Sequence, residues 1–298
     1  MTTERLSEAV NVGRLLEDLA RQLNAARIPE PFSEAREIVA ALYDVPRFWP
    51  LMNGNLDVEP DILASARSAA DKRIKGAPLA YAVGRASFRH FTLDVDERVL
   101  IPRPETEQLV DLVLDELSTG EGGVAIDVGT GSGAIAIALA AEGHFSRVYA
   151  TDISRDAVDV ARHNADLSKS LLRAPLEILH GSLLGPLLDV RARAVVSNPP
   201  YIALGEAASL PASVRDWEPA VALYSGNDGL RATAQLVREA ADVLAPGGLL
   251  ALEVDVRRAS LVAELVSRER RFHAIRMELD LTGRERFVLA RRQERDGG

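Results

Sequence analysis

Two short stretches of this chain carry residue types whose spacing could do chemistry. The first is Asp127–Val128–Gly129–Thr130–Gly131–Ser132–Gly133–Ala134, where an apolar strand signal runs through glycines into a helix signal. Glycines let the backbone turn sharply and approach a ligand closely, and a helix start offers free N–H groups. Asp152 closes the next strand signal, 21 residues beyond Gly131, where a carboxylate accepts hydrogen bonds from a ribose. With Ala134 the run also satisfies the G-x-G-x-x-G/A form of dinucleotide sites, and a tight structural turn is the plain alternative. The acid two residues ahead of the first glycine favours S-adenosylmethionine over NAD, because a charged amino-acid end and a ribose both need polar partners. Asp127 as a structural acid at a strand end is the other reading.

The second stretch is Val195–Val196–Ser197–Asn198–Pro199–Pro200–Tyr201, an Asn-Pro-Pro-Tyr turn directly after a buried apolar strand signal. Two consecutive prolines fix φ and remove two donors, so the segment presents carbonyl oxygens and cannot rejoin a sheet. Asn198 adds a side-chain acceptor and Tyr201 an aromatic face. A planar NH₂ group can donate one hydrogen to the Asn198 side-chain oxygen and the other to the Pro199 carbonyl. Held so, its nitrogen lone pair is free to meet an electrophile. Asn198, Pro199 and Tyr201 are therefore the candidate catalytic residues, and together with Pro200 the candidate substrate contacts.

The elements that must position these stretches follow from periodicity. Val12, Leu15, Leu16, Leu19 and Leu23, then Ala35, Ile38, Val39 and Leu42, recur at helical spacing, with a second helix start expected near Ser33. Another helix is expected from about Pro60 to Lys75, and no strand in the region up to Phe88, so this part is a small helical bundle. At Phe91, Leu93 and Val95, then Val99 and Ile101, the period falls to two, which predicts a short hairpin or connector. From 105 onward helix and strand signals alternate. Strands are expected at 124–128, 147–151, 176–180, 194–197, 249–254, 274–279 and 286–290, and helices at 106–117, 134–141, 155–168, 230–244 and 259–269. Such alternation predicts an α/β fold with a mostly parallel sheet covered by helices. The expected organisation is residues 1–85 as a helical domain, 86–104 as a hairpin connector and 105–298 as the ligand-binding domain, with Arg291–Gly298 a frayed polar tail.

Composition bounds the function. The 298 residues carry 35 Lys+Arg against 44 Asp+Glu, net −9, which argues against binding through bulk phosphate contacts. The 32 arginines against three lysines describe surface preference rather than a phosphate site. With no cysteine, a disulfide scaffold, a thiol nucleophile and a Cys-ligated metal are excluded. His90, His144, His163, His180 and His273 show no ligand spacing, so no metal is expected. The longest apolar run, Ala134–Ala141, is too short to span a bilayer, and MTTERLSEAV has no signal-peptide layout. The expected location is the cytoplasm, with no membrane partner.

With both motifs in hand, the chain resembles the class I S-adenosylmethionine-dependent methyltransferases. More narrowly, it resembles the bacterial peptide-chain-release-factor glutamine N5-methyltransferases. The resemblance covers most of the chain: Pro78–Leu79–Ala80–Tyr81 with Gly84, the segment Leu100–Ile101–Pro102–Arg103–Pro104–Glu105–Thr106–Glu107, the glycine loop and the Asn-Pro-Pro-Tyr turn. It continues through Trp217–Glu218–Pro219 with Ala222–Leu223, Asn227–Asp228–Gly229–Leu230, Pro246–Gly247–Gly248, and Asp280–Leu281–Thr282–Gly283–Arg284–Glu285–Arg286. It implies a Rossmann-like domain with a seven-stranded sheet and S-adenosylmethionine as cofactor. The implied contacts are Asp127, Gly129, Thr130, Gly131, Ser132, Gly133, Asp152, Leu183 and Asn198. It further implies methyl transfer to the glutamine of the Gly-Gly-Gln motif of release factors, with the N-terminal helices helping to recognise that protein.

The Asn-Pro-Pro-Tyr turn is shared with adenine-N6 methyltransferases, so a nucleic-acid adenine-N6 methyltransferase is the runner-up, and an inert binding module a third reading. Sister enzymes of a ribosomal protein generally carry Ser-Pro where Pro104–Glu105 stand here. Two positions depart from the family pattern. Ser182 stands where an acid is usual beside the adenine, and Asp255 stands in the loop after the fifth strand, where Glu253–Val254 is usually followed by Gly. Arg103 and Glu105 are equally open to shaping the substrate channel or locking the two domains, and Glu218 is expected to be a loop or cap carboxylate rather than a base.

Overall fold

The computed structural model describes residues 10–120 and 122–294. They form two compact units, one being the chain up to Arg85 with Ala212–Trp217, the other Ala86–Pro211 with the chain from Glu218 onward.

The first unit is helical. α1 (Val12–Ala25) buries Val12, Leu15, Leu16, Leu19 and Leu23 on one stripe, and the Asn11 side chain caps it by accepting from the Arg14 N–H at 2.9 Å. Burial of each such leucine stabilises the unit by about 1.5–3 kcal/mol. α2 (Pro31–Tyr43) begins two residues before Ser33, because Pro31 suits the first helical position. Ser33 Oγ instead accepts from Arg36 at 3.2 Å and Arg47 at 2.8 Å. The one-turn helix α3 (Trp49–Met52) precedes α4 (Pro60–Ile74) and the short α5 (Leu79–Val83). α1, α2 and α4 share one apolar core. Arg73 and Glu34 join α4 to α2 through two bonds of 2.6 Å.

The hairpin is present, but its pairing differs from the expected one: β1 (Arg85–Phe88) pairs with β2 (Phe91–Asp94), so a strand closes the region up to Phe88 where none was expected, and Val95, Val99 and Ile101 lie in no strand. Asp96 folds that segment into a turn by accepting from the Arg98 and Val99 N–H groups, and Pro102 and Pro104 have no N–H to offer a ladder. The remaining elements alternate: α6 (Pro104–Glu116), β3 (Val124–Val128), α7 (Ala134–Glu142), β4 (Arg147–Asp152), α8 (Arg155–Leu167), β5 (Leu176–His180) and β6 (Ala192–Ser197). Two one-turn helices, α9 (Ala212–Arg215) and α10 (Ala220–Leu223), lead to α11 (Arg231–Val243), β7 (Leu244–Glu253), α12 (Ala259–Arg268), β8 (Phe272–Leu279) and β9 (Glu285–Arg292).

These give one seven-stranded sheet in the order β5-β4-β3-β6-β7-β9-β8, parallel except for β9, which is antiparallel to both β7 and β8. Alternate residues feed two cores. Ala125, Val196 and Ala251 face α6 and α7, while Ile126, Val195 and Leu250 face α11 and α12. Buried on both faces, the central strands read as continuous apolar runs. The expected frayed tail is ordered at its start, since Arg291 and Arg292 close β9 and Arg291 bonds Glu116 at 2.5 Å; residues 295–298 lie outside the described residues.

Strand order reverses between β3 and β6: β4 and β5 lie to one side of β3, β6 and β7 to the other. Val128 is level with Thr151 in β4 and with Ser197 in β6. The glycine loop, Asp152 and Asn198 therefore leave the sheet at one edge, the carboxyl end of the strands beside the switch point, which is where open α/β sheets bind ligands.

Candidate active site

A cavity of about 330 Å³ opens at this edge, lined by Gly129, Gly131, Asp152, Leu183, Asn198 and Pro200 among others. That is within the usual size range of a small-molecule pocket. Gly129 and Gly131 both hold left-handed φ, +73° and +54°, and a Cβ on either would meet nothing within 4 Å. The backbone thus lies bare against open space, as close approach of a ligand requires. Gly133 does a different job. Its Cβ would sit 3.3 Å from Ala161 and Ile137, so it lets α7 pack against α8. Thr130 and Ser132 are buried within the loop.

Asp127 lies buried under this loop. Its Oδ2 accepts from Thr130 Oγ1 at 2.6 Å and from the Ala136 N–H at 3.1 Å, bracing the loop against α7. Among the described residues its Oδ1 has no partner. Burial pushes this carboxyl up to about 7, against the pull of those two bonds. Asp152 is fixed by two backbone donors, the Gly131 N–H and the Ser154 N–H, both at 2.9 Å. Its remaining lone pairs are free to face the cavity, and burial raises its pKa above the ordinary carboxylate value. Exposed Ile153, with Leu183, Ala157 and Val221, adds apolar wall suited to a flat ring. Leu183 itself is held at φ +48°, and its carbonyl accepts from Thr151 Oγ1 at 2.7 Å. A strained residue kept on a cavity wall is a common mark of a functional site.

The Asn-Pro-Pro-Tyr turn is split by the fold. Asn198 and Pro200 reach the cavity, Pro199 is buried, and half-buried Tyr201 stands behind them. Burial and nearby Glu253 push the Tyr201 hydroxyl up to about 12, with Arg286 and Arg103 pulling the other way. The turn is tightly backed, since a Cβ on Gly229 would lie 2.3 Å from the Tyr201 carbonyl oxygen. Asn198 Nδ2 donates to Thr106 Oγ1 at 3.3 Å, and Thr106 donates in turn to Glu253 Oε2 at 2.7 Å.

A family model described as a methyltransferase small domain matches residues 106–211, and one described as a PrmC N-terminal domain matches residues 14–84. A release factor glutamine methyltransferase of Deinococcus radiodurans is 40% identical over 279 residues, covering 93% of this chain and 97% of that protein. One of Moorella thermoacetica is 39% identical over 281 residues, covering 94% and 98%. The chain belongs to the release factor glutamine methyltransferase family. A methyltransferase from Pyrococcus furiosus shares the fold with a TM-score of 0.51 at 16% identity, over 78% of this chain and 98% of that one.

The family's cofactor is S-adenosylmethionine, and the strand-end residues fit it. Gly129 and Gly131 leave room for close approach, Asp152 offers fixed acceptors suited to ribose hydroxyls, and Asp127 keeps a spare acceptor beneath the loop. Ser182 also lies on the wall, bringing a neutral hydroxyl where relatives are expected to carry an acid. Asp255 forms a turn by accepting from the Arg257 N–H at 2.9 Å. Arg103 Nη2 donates to both carboxylate oxygens of buried Glu218, at 2.6 and 2.8 Å. The partner explains the buried acid, whose pKa burial raises and Arg103 lowers.

Sequence reasoning missed Thr106 and Glu253 as parts of the site, although both lie in quoted motifs. A lone acid closing the apolar run Leu249–Leu252 was the available signal. It missed the wall of Val221, Ala222, Tyr224 and Ser225 as well, for which periodicity offers none.

Proposed function

We propose that this chain transfers the methyl group of S-adenosylmethionine to the side-chain amide nitrogen of the glutamine in the Gly-Gly-Gln motif of peptide chain release factors. The observation that supports this most is Asn198 beside the glycine loop, with its Nδ2 already engaged by Thr106 and its oxygen without a donor among the described residues. S-adenosylmethionine supplies an electrophilic methyl on a positively charged sulfur. The chain's own residues hold the nucleophile. An amide nitrogen is a poor one because its lone pair is delocalised into the carbonyl. Asn198 Oδ1 and the Pro199 carbonyl take the two amide hydrogens, raise electron density on the nitrogen and stabilise positive charge growing on it, one of those two protons passing to water once the methyl is bound, while Tyr201 backs the turn. Alignment of this kind supplies about 7–11 kcal/mol of a barrier, and each fixed electrostatic contact is worth about 10²–10³ in rate.

The helices up to residue 85 serve release-factor recognition, residues 86–104 connect, and residues 105–298 carry the transfer. The setting is the cytoplasm. Among the described residues no helix is long and apolar enough to cross a membrane, and the net charge of −9 disfavours stable nucleic-acid binding. Incubation with methyl-labelled S-adenosylmethionine and either a release factor or DNA tests the reading. Label is expected in the release factor, at glutamine; label in DNA alone would overturn the assignment. Asn198→Ala is expected to lose about 10²–10³ in turnover, and a mutant methylating at the wild-type rate would remove Asn198 from its role.

A further inference from the structure

Three side chains from distant parts of the chain meet in one line of hydrogen bonds. Thr106 sits in the first turn of α6 and is buried, Glu253 ends β7 and is 1% exposed, and Asn198 follows β6. Their polarity is not arbitrary. An ionised carboxylate has no proton to give, so it can only accept. With Glu253 ionised, Thr106 therefore spends its single proton on it, at 2.7 Å. The Thr106 oxygen is then left as an acceptor, and the group 3.3 Å away must donate, which on Asn198 is Nδ2.

An asparagine amide is nearly symmetric in shape, and only its bonding partners decide which end points where. Among the described residues the Asn198 side chain bonds only to Thr106. With Nδ2 tied there, Oδ1 is left without a protein donor. Turned over, Asn198 would present N–H groups to a substrate NH₂, donor against donor.

We propose that Thr106 and Glu253 are positioning residues that fix the Asn198 amide with its oxygen toward the substrate carboxamide. The substrate side of this rests on the function proposed above. Neither residue touches the reacting atoms; each acts through Asn198.

Thr106→Val keeps the shape and removes the hydroxyl, while Thr106→Ser keeps the hydroxyl and removes a methyl. Turnover is measured with saturating S-adenosylmethionine and release factor, cofactor Kd by calorimetry, and the Asn198 side-chain NH₂ signals by ¹⁵N NMR, assigned by their loss in Asn198→Asp. Thr106→Val is expected to lower kcat about 10- to 100-fold, as loss of an orienting partner does elsewhere. Its cofactor Kd should stay within about twofold and its Asn198 NH₂ signals should move toward solvent-exposed values, since the bond that holds them is gone. Thr106→Ser is expected to restore all three. Wild-type kcat in Thr106→Val, or equal loss in both variants, would overturn the assignment. The NMR signals report the relay whatever the substrate, so unchanged signals in Thr106→Val refute it, whereas absent methylation by the wild type refutes the proposed function alone.

Discussion

At the scale of single residues, the proposed positioning of Asn198 depends on the charge of one buried acid. Burial pushes Glu253 up to about 7, opposed chiefly by its bond from Thr106. Arg286, Glu105 and Arg103 are the charged groups around it, and Tyr201, pushed up to about 12, stays neutral over the working range. Once protonated, Glu253 gains a hydrogen it can give to Thr106, whose own proton is then free to turn to the Asn198 oxygen. The enforced polarity of the line is lost. Turnover is therefore expected to rise with pH through about 7 and level off above it. Glu253→Gln has no proton to lose and should flatten that limb, although it is open to either amide orientation. Asp127, also held near 7, is the other group able to shape an acid limb. A rate profile unchanged in Glu253→Gln would assign the limb there and remove Glu253 from it.

Among elements, two glycines with the same left-handed backbone should answer differently to one methyl. Gly131, φ +54°, points its missing Cβ into open cavity, whereas at Gly229, φ +76°, a Cβ would meet the Tyr201 carbonyl at 2.3 Å and Arg258 Nε at 2.7 Å. Gly131→Ala is expected to cost about 1–2 kcal/mol of stability from backbone conformation and to weaken cofactor binding by intruding on its space. Gly229→Ala adds a clash with the Asn-Pro-Pro-Tyr turn, so turnover and melting temperature should both fall, with cofactor affinity the lesser casualty. Equal effects of the two on cofactor Kd would contradict that division. Such positions show how far local pattern reaches. The helical stripe of α1 and the apolar runs of β3, β6 and β7 were legible, because burial imposes their periods directly. β1 was not: of Arg85–Ala86–Ser87–Phe88 only Phe88 is buried, leaving no alternation to read. Nor was the passage of β7 through Pro246–Gly247–Gly248, where turn-forming residues sit in a strand and the pairing with β6 shifts register. The glycine loop and Asn-Pro-Pro-Tyr turn were visible as local motifs. Thr106 and Glu253 were invisible as partners, since 147 residues separate them and only the register of β6 beside β7 brings Asn198 into line.

For the molecule as a whole, the same buried acids set how stability responds to pH. Asp127 and Glu253 are both held near 7 in the fold, mainly by burial, against ordinary values of 3.8 and 4.5. Between those ordinary values and about 7 the folded chain keeps protons that the unfolded chain has released. Their contribution therefore favours the fold at low pH, declines as pH rises through that window and is fully lost above it. Asp280 acts in the opposite sense: Thr282, Arg284 and Arg286 hold it down to about 2, so its contribution is present above 3.8 and lost toward pH 2. The neutral, shape-matched variants Asp127→Asn and Glu253→Gln isolate the first effect. Each should melt higher than the wild type at pH 8, by a margin on the order of 1–3 kcal/mol, and should lose most of that margin toward pH 5, where the acids of the folded wild type are protonated. Thermal melts of the cofactor-free chain at both pH values measure it, and a variant equally destabilised at pH 5 and pH 8 would show that its acid is held by structure rather than strained by burial. A fold that keeps two carboxyls uncomfortable at neutral pH, both at the carboxyl edge of its sheet, gives up stability at the edge where its cavity opens.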